Sequence, residues 1–200
     1  LPVDVNKSVA EFGVEGKNIR FGFNAVKSMG RPTITAIIEE RTNNGDFHSM
    51  QDFITRMAGV INKRTVEHLI LAGAFDTFGN TRRGMMNVYE RMIDSAVKQN
   101  KDAISGQMSL FDFVSEEDKQ SLEMKVPDIQ EFEKEDLLER EKEVLGVYVT
   151  GHPLDEYTGM WEKHISARST DFLIDEETGQ AKLMNGSKQT IGGLISNIKV

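Results

Sequence analysis

The chain has 200 residues, 38% of them hydrophobic, with no cysteine and a formal net charge of −8. That length and apolar content suit one or two folded cores, while the missing thiols exclude a disulfide framework, a thiolate metal site and a cysteine nucleophile. The charge is uneven: residues 1–100 carry 13 Lys/Arg against 11 Asp/Glu, 101–165 carry 7 against 17, and 166–200 carry 4 of each, so the first half can meet phosphate through local basic patches that the whole-chain charge hides.

In chain order, the first hundred residues read as short helices parted by stop signals, the pattern of a compact α-helical domain. A helix is expected from about Pro32, which suits a first turn, to Arg41, with Asn43-Asn44-Gly45 ending it. Ser49 and Asp52 make a capping pair for a second helix. Asn62 caps a third, which carries Val66, Leu69, Ile70 and Leu71 to a stop at Gly73. Thr81 caps a long fourth through Val88, Met92, Ile93 and Val97. From Gln99 to Val126 the composition is that of a polar, acidic linker. Asp128 and Glu131 then pair as the cap of a fifth helix, whose apolar side holds Ile129, Phe132, Leu137, Leu138, Val144 and Leu145 and which ends at Gly146. After Gly151-His152-Pro153-Leu154 the pattern shifts; Thr190–Val200 reads as a β-strand, and a second, β-rich domain is expected from about residue 166.

Three motifs carry functional information. The stretch Ala25 to Ile38 resembles a helix-hairpin-helix: a helix end, a tight turn at Ser28-Met29-Gly30, then a helix with Ala36 at the close-packing position. Such a turn presents backbone N–H groups beside a helix N-terminus, where orphan donors and the dipole favour a phosphate without base readout. Lys17, Arg20, Lys27 and Arg31 surround it, and no acidic residue occurs from Lys17 through Ile38. Ser28 stands where glycine is usual.

A second hairpin of this kind is outlined by Asn62-Lys63-Arg64, a turn from Leu71 through Gly73 to Gly79, and Asn80-Thr81-Arg82-Arg83. Here Phe75 and Phe78 read equally well as core, and the arginines as a solvated face. Within the linker, Gln107-Met108-Ser109-Leu110-Phe111 resembles the peptide by which bacterial DNA enzymes hook onto the replication sliding clamp, with Leu110 and Phe111 entering an apolar pocket and Gln107 bonding at its edge. The histidines lack metal-site spacing, and no phosphate-binding loop, dinucleotide fingerprint or nucleophile motif is present. No catalytic or metal-ligating residue is expected.

Taken in order, Asp4-Val5-Asn6-Lys7-Ser8, Ile19-Arg20-Phe21-Gly22, Asn62-Lys63-Arg64, Gly73-Ala74-Phe75-Asp76, the clamp-like peptide and Glu143 to Leu154 resemble the bacterial replicative polymerases of the DNA polymerase III alpha family. The resemblance implies a mainly α segment of a longer protein. Residues 1–30 would end the fingers, and 31–100 would form a tandem helix-hairpin-helix region gripping double-stranded DNA. Residues 101–127 would be a linker with the clamp-binding peptide, 128–165 a connecting helix with the Gly-His-Pro-Leu segment, and 166–200 the first strands of an OB-fold cut short. The expected DNA-binding residues are Arg20, Lys27, Ser28, Gly30, Arg31, Lys63, Arg64, Gly73, Arg82 and Arg83.

The expected partners are duplex DNA, the sliding clamp (beta subunit) through residues 107–111, and other replisome subunits through the parent chain. No membrane contact is expected, because no run approaches the roughly 20 apolar residues that span a bilayer, and the lack of cysteine makes a reducing, cytoplasmic compartment the expected location. The family's two-metal chemistry uses aspartates upstream of this region. Mg²⁺ is therefore expected for the parent enzyme, no cofactor for this segment, and no polymerisation by it alone. The alternative is a repair-associated helix-hairpin-helix protein that recruits partners through the same peptide.

Overall fold

The computed structural model describes residues 1–104, 124–176, 179–195 and 198. It divides into two compact units, Leu1–Gly151 and His152–Val200. The first unit is mainly helical. A short antiparallel hairpin pairs β1 (Gly13–Glu15) with β2 (Asn18–Arg20), Gly13 opposite Arg20. It leads into a single 3-10 turn at Phe23–Ala25 and then into α1 (Arg31–Asn44), α2 (Met50–Arg56), α3 (Lys63–Leu71), α4 (Arg82–Ile104) and, beyond the undescribed stretch, α5 (Lys134–Leu145).

The caps follow local chemistry. Ser49 accepts the Asp52 N–H at 3.0 Å, Asn62 the Thr65 N–H at 2.9 Å and Thr81 the Gly84 N–H at 3.0 Å, each at the start of its helix. Helix α1 runs three residues past the expected Arg41, and α4 continues through 104, into the stretch read as linker.

One core holds this unit together. Ile34 and Ile37 of α1, Phe53 and Ile54 of α2, Val66, Leu69 and Ile70 of α3 and Met85, Val88 and Met92 of α4 are all buried within it. Helix α3 packs on both α4 and α5, and α2 packs on α4. Phe75 is fully buried between Phe53, edge-on at 5.1 Å, and Phe78, stacked at 6.1 Å, so both turn phenylalanines belong to the core.

Two expectations change. The Asp128–Glu131 pair does not open α5, which starts six residues after Asp128 with Glu133 at its N-cap. The Glu131 carboxylate is instead spent on α4, where it accepts the backbone N–H of Arg82 at 2.6 Å and of Arg83 at 2.9 Å. The far end of α5 is as expected, with Gly146 in the left-handed region at φ +80°.

In the second unit, a 3-10 turn at Pro153–Tyr157 runs into α6 (Thr158–His164), followed by a 3-10 turn at Ser169–Phe172. Its described residues carry only an isolated bridge, Ile174 to Ala181. The strand expected from Thr190 is not seen through Ile195. A strand is defined by a ladder of backbone pairings, and here the contacts stop at Thr190, whose carbonyl accepts the N–H groups of Ser166 at 3.0 Å and Ala167 at 3.4 Å and whose N–H donates to the Ser166 hydroxyl at 2.9 Å.

Candidate nucleic-acid interface

The turn between the 3-10 segment and α1 is held from two sides. The Lys27 N–H donates to the Val144 carbonyl at the end of α5 at 2.9 Å. The Lys27 carbonyl accepts from Nδ1 of His68 on α3 at 2.7 Å, which requires the proton on that nitrogen. Between these anchors Ser28 is the one non-glycine among the described residues with positive φ, at +65°. It adopts the left-handed conformation that glycine takes more cheaply, so the turn forms despite the departure from the usual residue.

Gly30 is the N-cap of α1 and provides no side-chain cap; Pro32 carries no N–H, so the donors of the first turn are those of Arg31 and Thr33. Lys27, Ser28, Gly30 and Arg31 are all exposed. The arm before the turn is the end of a single 3-10 turn, with the Val26 N–H returning to the Phe23 carbonyl at 3.0 Å, and not of an α-helix. The N–H groups of Phe23 and Asn24, its first two residues, go to the Val9 and Ala10 carbonyls, at 2.9 and 3.0 Å.

Arg64 joins this turn through α3. It lies four residues before His68, on the same helix face and one turn along from the residue that touches Lys27. Lys27, Arg31 and Arg64 are exposed and make no ion pair among the described residues. Lys63 points elsewhere, bridging Glu90 at 3.2 Å and Asp94 at 3.0 Å on α4. The Asp94 hydrogen bond, then that of Glu90, holds its ammonium above the ordinary lysine range.

The second hairpin, α3 to α4, is a complete helix-turn-helix unit whose arginines divide their roles. Arg83 is exposed, but the Arg82 side chain is 3% exposed. Its guanidinium donates to Asp76 at 2.7 Å, to the Leu71 carbonyl at 2.8 Å and to Glu141 at 3.5 Å. Burial works against its charge, yet the Asp76 and Glu141 carboxylates hold the group above its ordinary value. Gly73, at φ +80°, leaves room for this guanidinium where any Cβ would collide with it. The Glu141 carboxylate, fully buried, also accepts the N–H groups of Val149 at 2.7 Å and Thr150 at 2.9 Å.

Three expected DNA-binding residues are therefore structural. Arg82 and Gly73 shape the second turn from inside. Arg20, whose side chain is 11% exposed, is held by Glu15 at 2.5 Å and the Pro2 carbonyl at 2.9 Å. Four residues that position the site were not anticipated: His68, Val144, Glu131 and Glu141. Only His68 and the two carboxylates are polar enough to have signalled a role, and the turn residues they hold, Lys27 and Arg82, lie 41 or more residues away from them. The clamp-like peptide Gln107–Phe111 lies outside the described residues. Among the described residues no group of three or more His, Asp or Glu is arranged to hold a metal ion. No helix among them is long and apolar enough to cross a membrane.

The helix-hairpin-helix motif family matches residues 1–85, the stretch containing both turns and the start of α4. The DNA polymerase III subunit alpha of Mycobacterium leprae is 33% identical over 199 residues, covering 99% of this chain and 16% of that protein. Those of Chlamydia pneumoniae and Borreliella burgdorferi are each 35% identical, covering 89% and 100% of this chain and 16% and 17% of the relatives. The chain belongs, as one segment, to the DNA polymerase III alpha family. It spans about one sixth of the length of these alpha subunits, and the helix-hairpin-helix region lies in its first half.

Proposed function

We propose that this segment grips the phosphate backbone of duplex DNA for a replicative, DNA-directed DNA polymerase and tethers that polymerase to its sliding clamp. The observation that carries the DNA reading is the turn at Lys27–Arg31. It joins an uncapped helix N-terminus to a left-handed turn and three exposed cations, Lys27, Arg31 and Arg64. Backbone donors and a helix dipole take a phosphate oxygen, and the flanking cations neutralise its charge, so the hold is independent of base sequence.

The clamp tether is Gln107-Met108-Ser109-Leu110-Phe111, a short peptide whose Leu110 and Phe111 would enter an apolar groove on the clamp. Other replisome subunits would be reached through the rest of the parent chain, in the cytoplasm. The polymerase chemistry, with its Mg²⁺ ions, belongs to other parts of that parent. This segment contributes position rather than a reacting group. Binding of the chain to a mixed-sequence duplex is expected to weaken linearly in log K against log salt, by roughly 0.9 per phosphate contacted. Fluorescence anisotropy measures it, and an affinity independent of salt would contradict the reading.

A further inference from the structure

The second hairpin carries an anion of its own where the first leaves its donors open. Glu131 Oε2 accepts the Arg82 N–H at 2.6 Å and Oε1 accepts the Arg83 N–H at 2.9 Å, so one carboxylate covers two consecutive donors of the first turn of α4. These are donors of the kind that two non-bridging oxygens of a phosphodiester engage at a helix start. The exposed Arg83 side chain adjoins them.

The carboxylate arrives on residues 124–133, which cross the start of α4 closely. Thr81 Oγ1 donates to the Ile129 carbonyl at 3.0 Å. Gly84 admits the Pro127 carbonyl, which would lie 2.6 Å from a Cβ at that position. Met124 and Val126 pack against the core.

The attachment is nevertheless shallow. No residue from 124 to 133 is fully buried; Met124, Val126, Pro127, Ile129, Glu131 and Phe132 are half-buried and the other four exposed. Its backbone–backbone hydrogen bonds outside regular elements are one internal, from the Ile129 N–H to the Pro127 carbonyl, and one at its end, from the Leu137 N–H of α5 to the Glu133 carbonyl, so none of them ties it to α4. Segments with few buried side chains and few ladder bonds open at low free-energy cost.

We propose that Glu131 is an internal competitor for DNA phosphate: the 124–133 strap occupies the anion position of the second hairpin, and duplex DNA must displace it to engage α4. This rests on the proposed DNA binding of the segment and adds a contact that holds one of its two hairpins closed. The first hairpin then supplies the initial grip, and the second is engaged only when the strap yields.

The test compares duplex binding by wild type, Glu131→Gln and Asp128→Asn, the last losing the same charge from an exposed position on the same strap. Glu131→Gln is expected to bind at least about threefold more tightly than Asp128→Asn, with a salt slope steeper by about 0.9. Equal affinities for the two variants would make Glu131 a helix cap only, overturning the inference while leaving DNA binding intact. If no variant binds the duplex, the proposed function falls and the inference with it. A measurement on wild type alone guards against a variant that misfolds. At saturating duplex, the Arg82 and Arg83 amide resonances are expected to shift together with those of Lys27 and Ser28. Shifts at Lys27 and Ser28 with none at Arg82 and Arg83 would overturn the proposal.

Discussion

Arg82→Met lowers the unfolding free energy by about 3–5 kcal/mol, the scale of losing one partner from a buried ion pair. The substitution keeps much of the volume and removes the charge. It strands the Glu141 carboxylate, which is fully buried and has no other cation among its hydrogen-bond partners in the described residues. It also frees the Leu71 carbonyl at the end of α3 and the Asp76 carboxylate in the turn, each now held by the guanidinium. These losses fall on the junction of α3, α4 and α5, so the damage extends through the first unit. Urea unfolding followed by circular dichroism checks it. A loss below about 1 kcal/mol, the range of an exposed pair, would mean that the Arg82 network is dispensable.

Leu110→Ala with Phe111→Ala weakens binding to the sliding clamp by about a thousandfold. Each side chain is expected to be an apolar anchor in a pocket, worth at least about 2 kcal/mol on truncation, and tenfold in affinity corresponds to about 1.4 kcal/mol. Surface plasmon resonance on immobilised clamp measures both proteins. The same double variant should leave duplex affinity unchanged, because residues 110 and 111 lie outside the helix-hairpin-helix match that ends at 85. A clamp affinity that survives the substitution would remove the tether from the proposed function and leave the DNA grip standing.

What the sequence made legible was local chemistry. Ser49, Asn62 and Thr81 cap the helices assigned to them, because an N-cap bond spans only three residues and needs no knowledge of the fold. The apolar stripes of α3 and α4 were readable for the same reason. What escaped were uses of a side chain across long separations. Glu131 has the spacing of a capping-box partner for Asp128, yet it caps a helix that begins 49 residues earlier. Arg82 and Arg83 are neighbours of identical type, and only packing makes one a buried clasp and the other an exposed cation. Arg20 looked like part of the basic surround until the β1–β2 pairing placed Glu15 beside it.

The candidate site divides along the same line. The turn at Ser28-Met29-Gly30 was visible because glycine and helix-start signals are local. Its supports were not, because His68 and Val144 reach Lys27 from α3 and α5. Arg64 enters the site through His68, a relation that helical spacing explains only after the His68 contact is known.

The most direct test of the central claim, that this segment grips DNA phosphates around the Lys27–Arg31 turn, is the salt dependence of duplex binding. It compares wild type with the triple variant Lys27→Ala, Arg31→Ala, Arg64→Ala. All three side chains are exposed and unpaired among the described residues, so the fold should survive their loss. If each neutralises a phosphate, the slope of log K against log salt becomes shallower by about 3, at roughly 0.9 per contact, and affinity falls for every duplex sequence alike. An unchanged slope would mean that DNA, if it binds, is held elsewhere on the molecule.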